Sequence, residues 1–201
     1  MARTWNHNTH FYGLARRRVT AETRAIDVGC GEGLLTREMA AAGAKHVLGV
    51  DLDPAMIAHA NDRAAGVRGL EYRASDVMSM QLESQFDLVT CFATLHHLDL
   101  VEGLRRLREL TAPGGHLVVV GLARTAGPSE LALSLATLVV DPLVKARRGY
   151  GDHPAPVRDP DSTYSETESV AAKILPGSRF RRRHYYRFSL EWTAPTAESA
   201  R

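Results

Sequence analysis

Three glycines and a series of acids in the first half of the sequence are spaced to hold a nucleoside-like ligand. Gly29-x-Gly31-x-Gly33 follows the apolar run Ala25–Val28, with Asp27 just before the turn. Glycines there let backbone come within contact distance of a ligand, and a helix starting after them offers unpaired N–H groups to a negative group. Asp27 is expected to organise the amides of that turn. Asp51 ends the next apolar run, 18 residues past Gly33, where a carboxylate can accept both hydroxyls of a ribose. Ser75-Asp76-Val77 closes a third run. An acid beside an apolar residue suits an adenine, whose face packs on Val77 while its amino group donates to Asp76. Each feature alone has a plain counterpart, a tight turn or a helix cap; their recurrence at successive strand ends favours a ligand.

Histidines supply the candidates for proton transfer, because imidazole titrates close to neutral pH. His96 and His97 follow a fourth apolar run and face the edge of the sheet where such folds bind ligands. Adjacent side chains rarely point the same way, so at most one is expected to act as a base; the other caps or packs. The opening stretch WNHNTHFYG (Trp5–Gly13) adds His7 and His10, which share one helical face if that stretch is helical. Trp5, His7, His10 and Tyr12 read best as a lid over the site, with His7 or His10 as a rival to His96. No acidic or cysteine ligand accompanies these histidines, so no metal site is expected.

The elements that must position these groups alternate. Strands are predicted at Ala25–Val28, His46–Val50, Leu70–Ala74, Phe86–Cys91 and His116–Val120, with helices at Leu34–Ala42, from Pro54 to about Ala65, and over Asp99–Leu110. That alternation predicts an α/β domain, a doubly wound, mostly parallel sheet covered on both faces. After it, Ser129–Val140 and Pro142–Arg148 read as two short helices, and Gly149–Ser162 as loop. Ser165 is expected to cap a helix running to about Leu175. Arg179–Arg183 and Tyr185–Thr193 read as an antiparallel hairpin, with Tyr186, Phe188, Leu190 and Trp192 on one face.

Composition narrows the classes. The 201 residues suggest one domain over 1–201. Lys plus Arg total 25 against 23 acids, a formal charge of +2, which argues against a nucleic-acid binder despite the run Arg179, Arg181–Arg183. That run reads instead as a charged edge that discourages strand pairing. Two cysteines, Cys30 and Cys91, give no disulfide scaffold. The longest apolar run, Leu131–Val140, is about half of a membrane span, and no signal peptide is expected, so the chain reads as cytoplasmic with no membrane partner.

AIDVGCGEG, VLGVDLD, ASDV, FDLVTCFATLHHL and LRELTAPGGHLVVVG resemble, in order and spacing, the class I S-adenosylmethionine-dependent methyltransferases, most of all the small-molecule branch that includes the ubiquinone/menaquinone enzymes. The resemblance spans about residues 24–121 and implies a seven-stranded Rossmann-like sheet of order 3-2-1-4-5-7-6 with strand 7 antiparallel. It implies S-adenosylmethionine as cofactor and S-adenosylhomocysteine as product. Gly29, Gly31 and Gly33 would line the methionine part, with Asp27, Cys30 and Ser75 counted in the same cofactor set. Asp51 would hold the ribose, Leu52 would pack on the adenine, Asp76 and Val77 would bind it, and Phe92 and Ala93 would lie beside the sulfonium. Residues 1–20 would form the lid and 123–163 a substrate-covering insertion, with Leu131 and Leu135 in an apolar wall. The expected reaction is methyl transfer to O, N or C of a small, partly apolar metabolite, by a monomer or homodimer. The alternatives are a nicotinamide-dependent oxidoreductase, disfavoured by the glycine spacing, and a non-catalytic cofactor-binding or partner-binding module.

Overall fold

Short apolar strands separated by helices pair in parallel here, because each helix provides the crossover that a parallel neighbour requires. A computed structural model of the chain describes residues 8–82, 84–124, 160–184 and 187–196. Strands β1 (Arg24–Val28), β2 (His46–Asp51), β3 (Leu70–Ala74), β4 (Phe86–Phe92) and β5 (Thr111–Leu122) are parallel, and β6 (Arg179–Arg183) and β7 (Arg187–Thr193) close the sheet. The order is β3-β2-β1-β4-β5-β7-β6, with β7 antiparallel to both neighbours, as the resemblance implied.

Helices α1 (Gly13–Arg16) and α2 (Leu34–Ala41) cover one face. There Phe11, Tyr12, Ala15, Leu35 and Met39 pack with Val47, Leu88, Val118 and Val120 of the sheet. Helices α4 (Leu100–Leu110) and α5 (Tyr164–Ile174) cover the other, where Leu104, Leu107, Leu110 and Ala171 meet Ile26, Val89, Val119 and Leu190. Helix α3 (Pro54–Arg63) packs on β2 and β3. Proline opens α3, where its missing N–H costs nothing, and the Asp53 carboxylate accepts from the Ala55 amide at 2.8 Å. Helix α4 turns its leucines inward and Arg105 and Arg108 outward. Asp99 caps it, accepting from the Val101 and Glu102 amides, each at 3.0 Å.

Three details differ from the sequence expectations. The fifth strand starts at Thr111 rather than His116, because the ladder with β4 jumps from Phe86↔Thr111 to Leu88↔His116 and absorbs the Pro-Gly-Gly segment. The last helix is capped by Thr163, not Ser165. Thr163 Oγ1 accepts from the Glu166 amide at 3.2 Å while the Glu166 carboxylate accepts from the Thr163 amide at 2.8 Å, a reciprocal box that only this three-residue spacing permits. In β7, Phe188, Leu190 and Trp192 share the buried face as expected; Tyr186 lies outside the described residues. The opposite face is also covered, with Ser189 fully buried under the N-terminal segment and β6.

Thr163→Ala is expected to lower the unfolding free energy by about 1 kcal/mol. Ser165→Ala should change it by less than about 0.5 kcal/mol. Urea denaturation of the two variants distinguishes the caps.

Candidate active site

The glycine turn is held from below by the end of β2. The Val50 carbonyl accepts from the Gly29 amide at 2.8 Å and from the Cys30 amide at 3.0 Å. Asp51 Oδ2 accepts from the Gly31 amide at 2.8 Å, and the Cys30 carbonyl accepts from the Gly33 amide at 2.9 Å. Four of the five amides from Gly29 to Gly33 are therefore used inside the protein. Val50, Asp51 and the Cys30 carbonyl thus consume the donors of the turn itself. The organiser is Asp51, not Asp27. Asp27 lies deep in β1, in register with Thr90 of β4, whose hydroxyl donates to Asp27 Oδ1 at 2.6 Å.

Two residues not singled out in the sequence, Thr94 and Tyr72, shape this turn. A Cβ on Gly29 would stand 2.0 Å from Thr94 Oγ1, and one on Gly33 2.2 Å from the Tyr72 hydroxyl. Both glycines have φ near +70°, so substitution there meets backbone strain as well. Tyr72, on β3, crosses β2 over Gly49, where a Cβ would meet the ring at 2.5 Å. Its hydroxyl lies 2.6 Å from Thr36 Oγ1 and donates to the Gly33 carbonyl at 3.2 Å. The one sequence signal was a glycine inside a buried strand, which marks close approach of another group.

Around the turn the predicted ligand groups gather at the carboxyl ends of β1, β2, β3 and β4. Asp51 Oδ1 accepts from the Asp53 amide at 3.0 Å; each carboxylate oxygen keeps capacity for another donor. Leu52 beside it is 74% exposed, an apolar side chain left uncovered. Asp76 Oδ1 accepts from the Met78 amide at 2.9 Å, which is the helix-cap reading, and Oδ2 has no partner among the described residues. Val77 differs from expectation. Its side chain is buried in the core with Met80 and Leu95, so a flat ring could meet its backbone but not stack on its methyls. Ser75 is half-buried, its amide bonded to the Asp51 carbonyl at 2.9 Å. Ala93 closes β4 with φ +53°, a conformation that costs a non-glycine residue energy and clusters at functional sites. Phe92 meets the Tyr12 ring edge-on at 5.5 Å.

The His96 and His97 rings lie together, centroids 4.1 Å apart, so adjacent side chains do not diverge here as expected; their exposure differs. His96 lines a cavity with Leu95, Leu98, Leu122, Asp161 and Phe188, whereas His97 beside it is exposed. His10 is exposed too, because the 3-10 turn Thr9–Phe11 turns Phe11 inward; Trp5, His7, Leu131 and Leu135 lie outside the described residues. Cys30 and Cys91 are both buried, and burial pushes both thiols up, Cys91 to about 12, so neither is a reactive thiolate. Among the described residues no cluster of three or more His, Cys, Asp and Glu could hold a metal.

Residues 26–119 match the family described as a methyltransferase domain. An uncharacterized methyltransferase of Mycobacterium tuberculosis is 33% identical over 199 residues, covering 97% of this chain and all of that protein. The chain belongs to the class I S-adenosylmethionine-dependent methyltransferases. A ubiquinone biosynthesis O-methyltransferase of Xanthomonas axonopodis is 35% identical over 144 residues, covering 69% of this methyltransferase and 59% of that one. The N-methyltransferase NodS of Bradyrhizobium japonicum, solved with S-adenosyl-L-homocysteine, shares the fold with TM-score 0.62 at 16% identity, over 93% of this chain and 87% of that chain.

Two variants test the site's electrostatics and support. Burial pushes the Asp27 carboxyl up to about 7, against the opposing Thr90 hydrogen bond and with help from Asp51. A raised folded pKa means that this group favours the fold below its unfolded value and loses that contribution as pH rises through about 7. Asp27→Asn, which stays neutral, should gain stability relative to the parent methyltransferase between pH 5 and pH 8, measured by urea unfolding at each pH. Tyr72→Phe keeps the ring over Gly49 and removes only the hydroxyl. It should cost about 0.5–1.5 kcal/mol of stability and speed exchange of the Gly33 amide, measured by denaturation and hydrogen exchange.

Proposed function

We propose that this methyltransferase binds S-adenosylmethionine over the glycine turn and transfers its methyl group to O, N or C of a small, partly apolar acceptor. The observation that carries the cofactor assignment is the internally satisfied turn. Four consumed amides beside the Asp27 and Asp51 carboxyls suit a cationic, phosphate-free group and disfavour a pyrophosphate, which sets aside the nicotinamide alternative. Asp51 would take the ribose hydroxyls, Leu52 would cover one side of the adenine, and Asp76 Oδ2 with the Val77 amide would read its edge. Phe92, Ala93 and Tyr12 would border the methyl-bearing end.

The bound cofactor supplies an electrophilic methyl on a sulfonium, an excellent leaving group. The protein's share is alignment and exclusion of water, which can supply roughly 7–11 kcal/mol. The cavity beside His96 supports an acceptor site: its walls are mostly apolar, and Pro160, Asp161 and Ser162 close one side. The chain leaves β5 at Arg124 and returns at Ser162, joined by a 2.8 Å backbone hydrogen bond, so the 123–163 insertion starts and ends at this cavity. His96, which lines this cavity, would take a proton from a hydroxyl acceptor in preference to the exposed His97 and His10. The O-methyltransferase relatives make a hydroxyl-bearing ring the first acceptor to assay. A cytoplasmic enzyme accords with two buried free thiols and with the absence, among the described residues, of any helix long and apolar enough to cross a membrane.

Calorimetric titration with S-adenosylhomocysteine tests this reading. Asp51→Ala should weaken binding by roughly 10- to 150-fold, the equivalent of about 1.5–3 kcal/mol in lost charge-assisted hydrogen bonds. Unchanged affinity would remove Asp51 from the ribose, and binding of NAD(H) in place of S-adenosylhomocysteine would overturn the assignment.

A further inference from the structure

At the β6 end of the sheet, arginines from two segments converge on one carboxylate. Arg179, Arg181 and Arg183 pair in register with Glu191, Ser189 and Arg187 of β7, and residues directly opposite one another share a face. Arg17 and Arg18, which follow α1, reach the same face and both pair with Glu191 Oε2, Arg18 at 3.4 Å. Arg183 Nε donates to Ser189 Oγ at 2.8 Å. Arg182 takes the other face, its guanidinium 5.3 Å from the Tyr164 ring centroid.

Among the described residues, six arginines (17, 18, 179, 181, 183 and 187) against one acid, Glu191, leave five positive charges in excess here, while the whole chain carries +2. The remainder of the chain is therefore net negative by three, and the positive charge is concentrated on one face. An edge strand needs only a charge or two to discourage pairing. That role does not account for Arg17 and Arg18, which come from a segment away from the edge. Burial first, and then the charge of Arg181, pull the Arg183 pKa down; Glu191 opposes this and Arg17 adds to it, so one carboxylate relieves the repulsion only in part. Guanidinium forks match the oxygens of phosphate, and same-face residues on a strand stand about 6.8 Å apart, within reach of one bridging ligand. Strand β6 is four places from β1, about 19 Å across the sheet, so the face is separate from the glycine turn.

We propose that the face formed by Arg17, Arg18, Arg179, Arg181 and Arg183 binds a multiply charged phosphate group, such as a phosphate monoester or a diphosphate. A monoanionic carboxylate would offset one of the five excess charges; a diphosphate offsets most of them.

The test is calorimetric titration of the full chain with inorganic pyrophosphate at constant ionic strength, alongside thermal melts. Saturable binding is expected, with a melting temperature that rises with pyrophosphate concentration. Arg181→Gln combined with Arg183→Gln should weaken binding at least about 10-fold, by loss of two charge-assisted contacts, and leave S-adenosylhomocysteine affinity unchanged. Arg179→Gln, at an exposed site with no side-chain partner among the described residues, serves if the double variant fails to fold and should weaken binding measurably. Arg105→Gln on α4 is the control and should have no effect. Equal binding by the parent and the β6 variants, or a response that chloride reproduces at matched ionic strength, overturns the proposal. Cosedimentation with phosphatidic acid vesicles, lost in the β6 variants, assigns the phosphate to a lipid headgroup; pyrophosphate binding without cosedimentation assigns it to a soluble ligand.

Discussion

A single carbonyl, that of Val50, holds the glycine turn to the sheet by accepting from two successive amides, Gly29 and Cys30. Everything at the ligand edge is referenced to that point. Asp51, the next residue, takes the Gly31 amide with one oxygen and the Asp53 amide with the other, so it fixes the turn after β1 and the start of α3 together. This arrangement requires β1 and β2 in the observed register, Val28 beside Val50. A one-residue slip would reverse the faces of Ile26 and Val28 and move Asp51 away from the turn. The buried alternation on both sides of β1 protects that register, and through it the site.

The same bonds decide what the turn can recognise. A loop that cradles phosphate keeps its amides free and pointed at the ligand. Here four of the five are spent, and Asp51 brings a carboxylate to the turn while Arg37 donates to the Glu32 carbonyl at 2.6 Å. Asp27 sharpens this: burial leaves it titrating near neutrality, so a cation close by would favour its ionised form. Two glycine-rich turns thus differ in more than the glycine spacing that already separates them as strings. The difference lies in where the amide hydrogens go.

Most of the scaffold was readable from local pattern. Helical spacing at Leu104, Leu107 and Leu110, and the period-two run Phe188, Leu190 and Trp192, report burial directly, and the structure buries all six. Asp51 stands out in the sequence as an acid at a strand end, and the structure gives it a duty there, holding the Gly31 and Asp53 amides. Tyr72 and Thr94 were missed because they act across strands: each touches a glycine more than 30 positions away in sequence, and only the sheet order brings them together. Asp27 was misassigned for the converse reason. Its sequence neighbours are the turn, but its side chain points to Thr90 on the adjacent strand. Thr163 rather than Ser165 caps the last helix because only Thr163 stands three residues before Glu166, the partner that closes the reciprocal box.

The N-terminal segment shows which forces seat it on the sheet. From Thr9 to Arg18 it touches both ends of one sheet face: Tyr12 meets Phe92 at the end of β4, and Arg17 and Arg18 meet Glu191 in β7. The two anchors are unequal. Burying Phe11 and Tyr12 is worth about 1.5–3 kcal/mol each, whereas an exposed ion pair contributes about 0–1 kcal/mol and salt screens it. Arg17 is half exposed, its side chain retaining 52% of its accessible surface. Apolar burial therefore seats the segment, and the arginines are carried to the β6 face by it rather than holding it there. Their repulsion with Arg181 and Arg183 is tolerated because the aromatic anchor outweighs it, which leaves the charge on that face available for something other than folding.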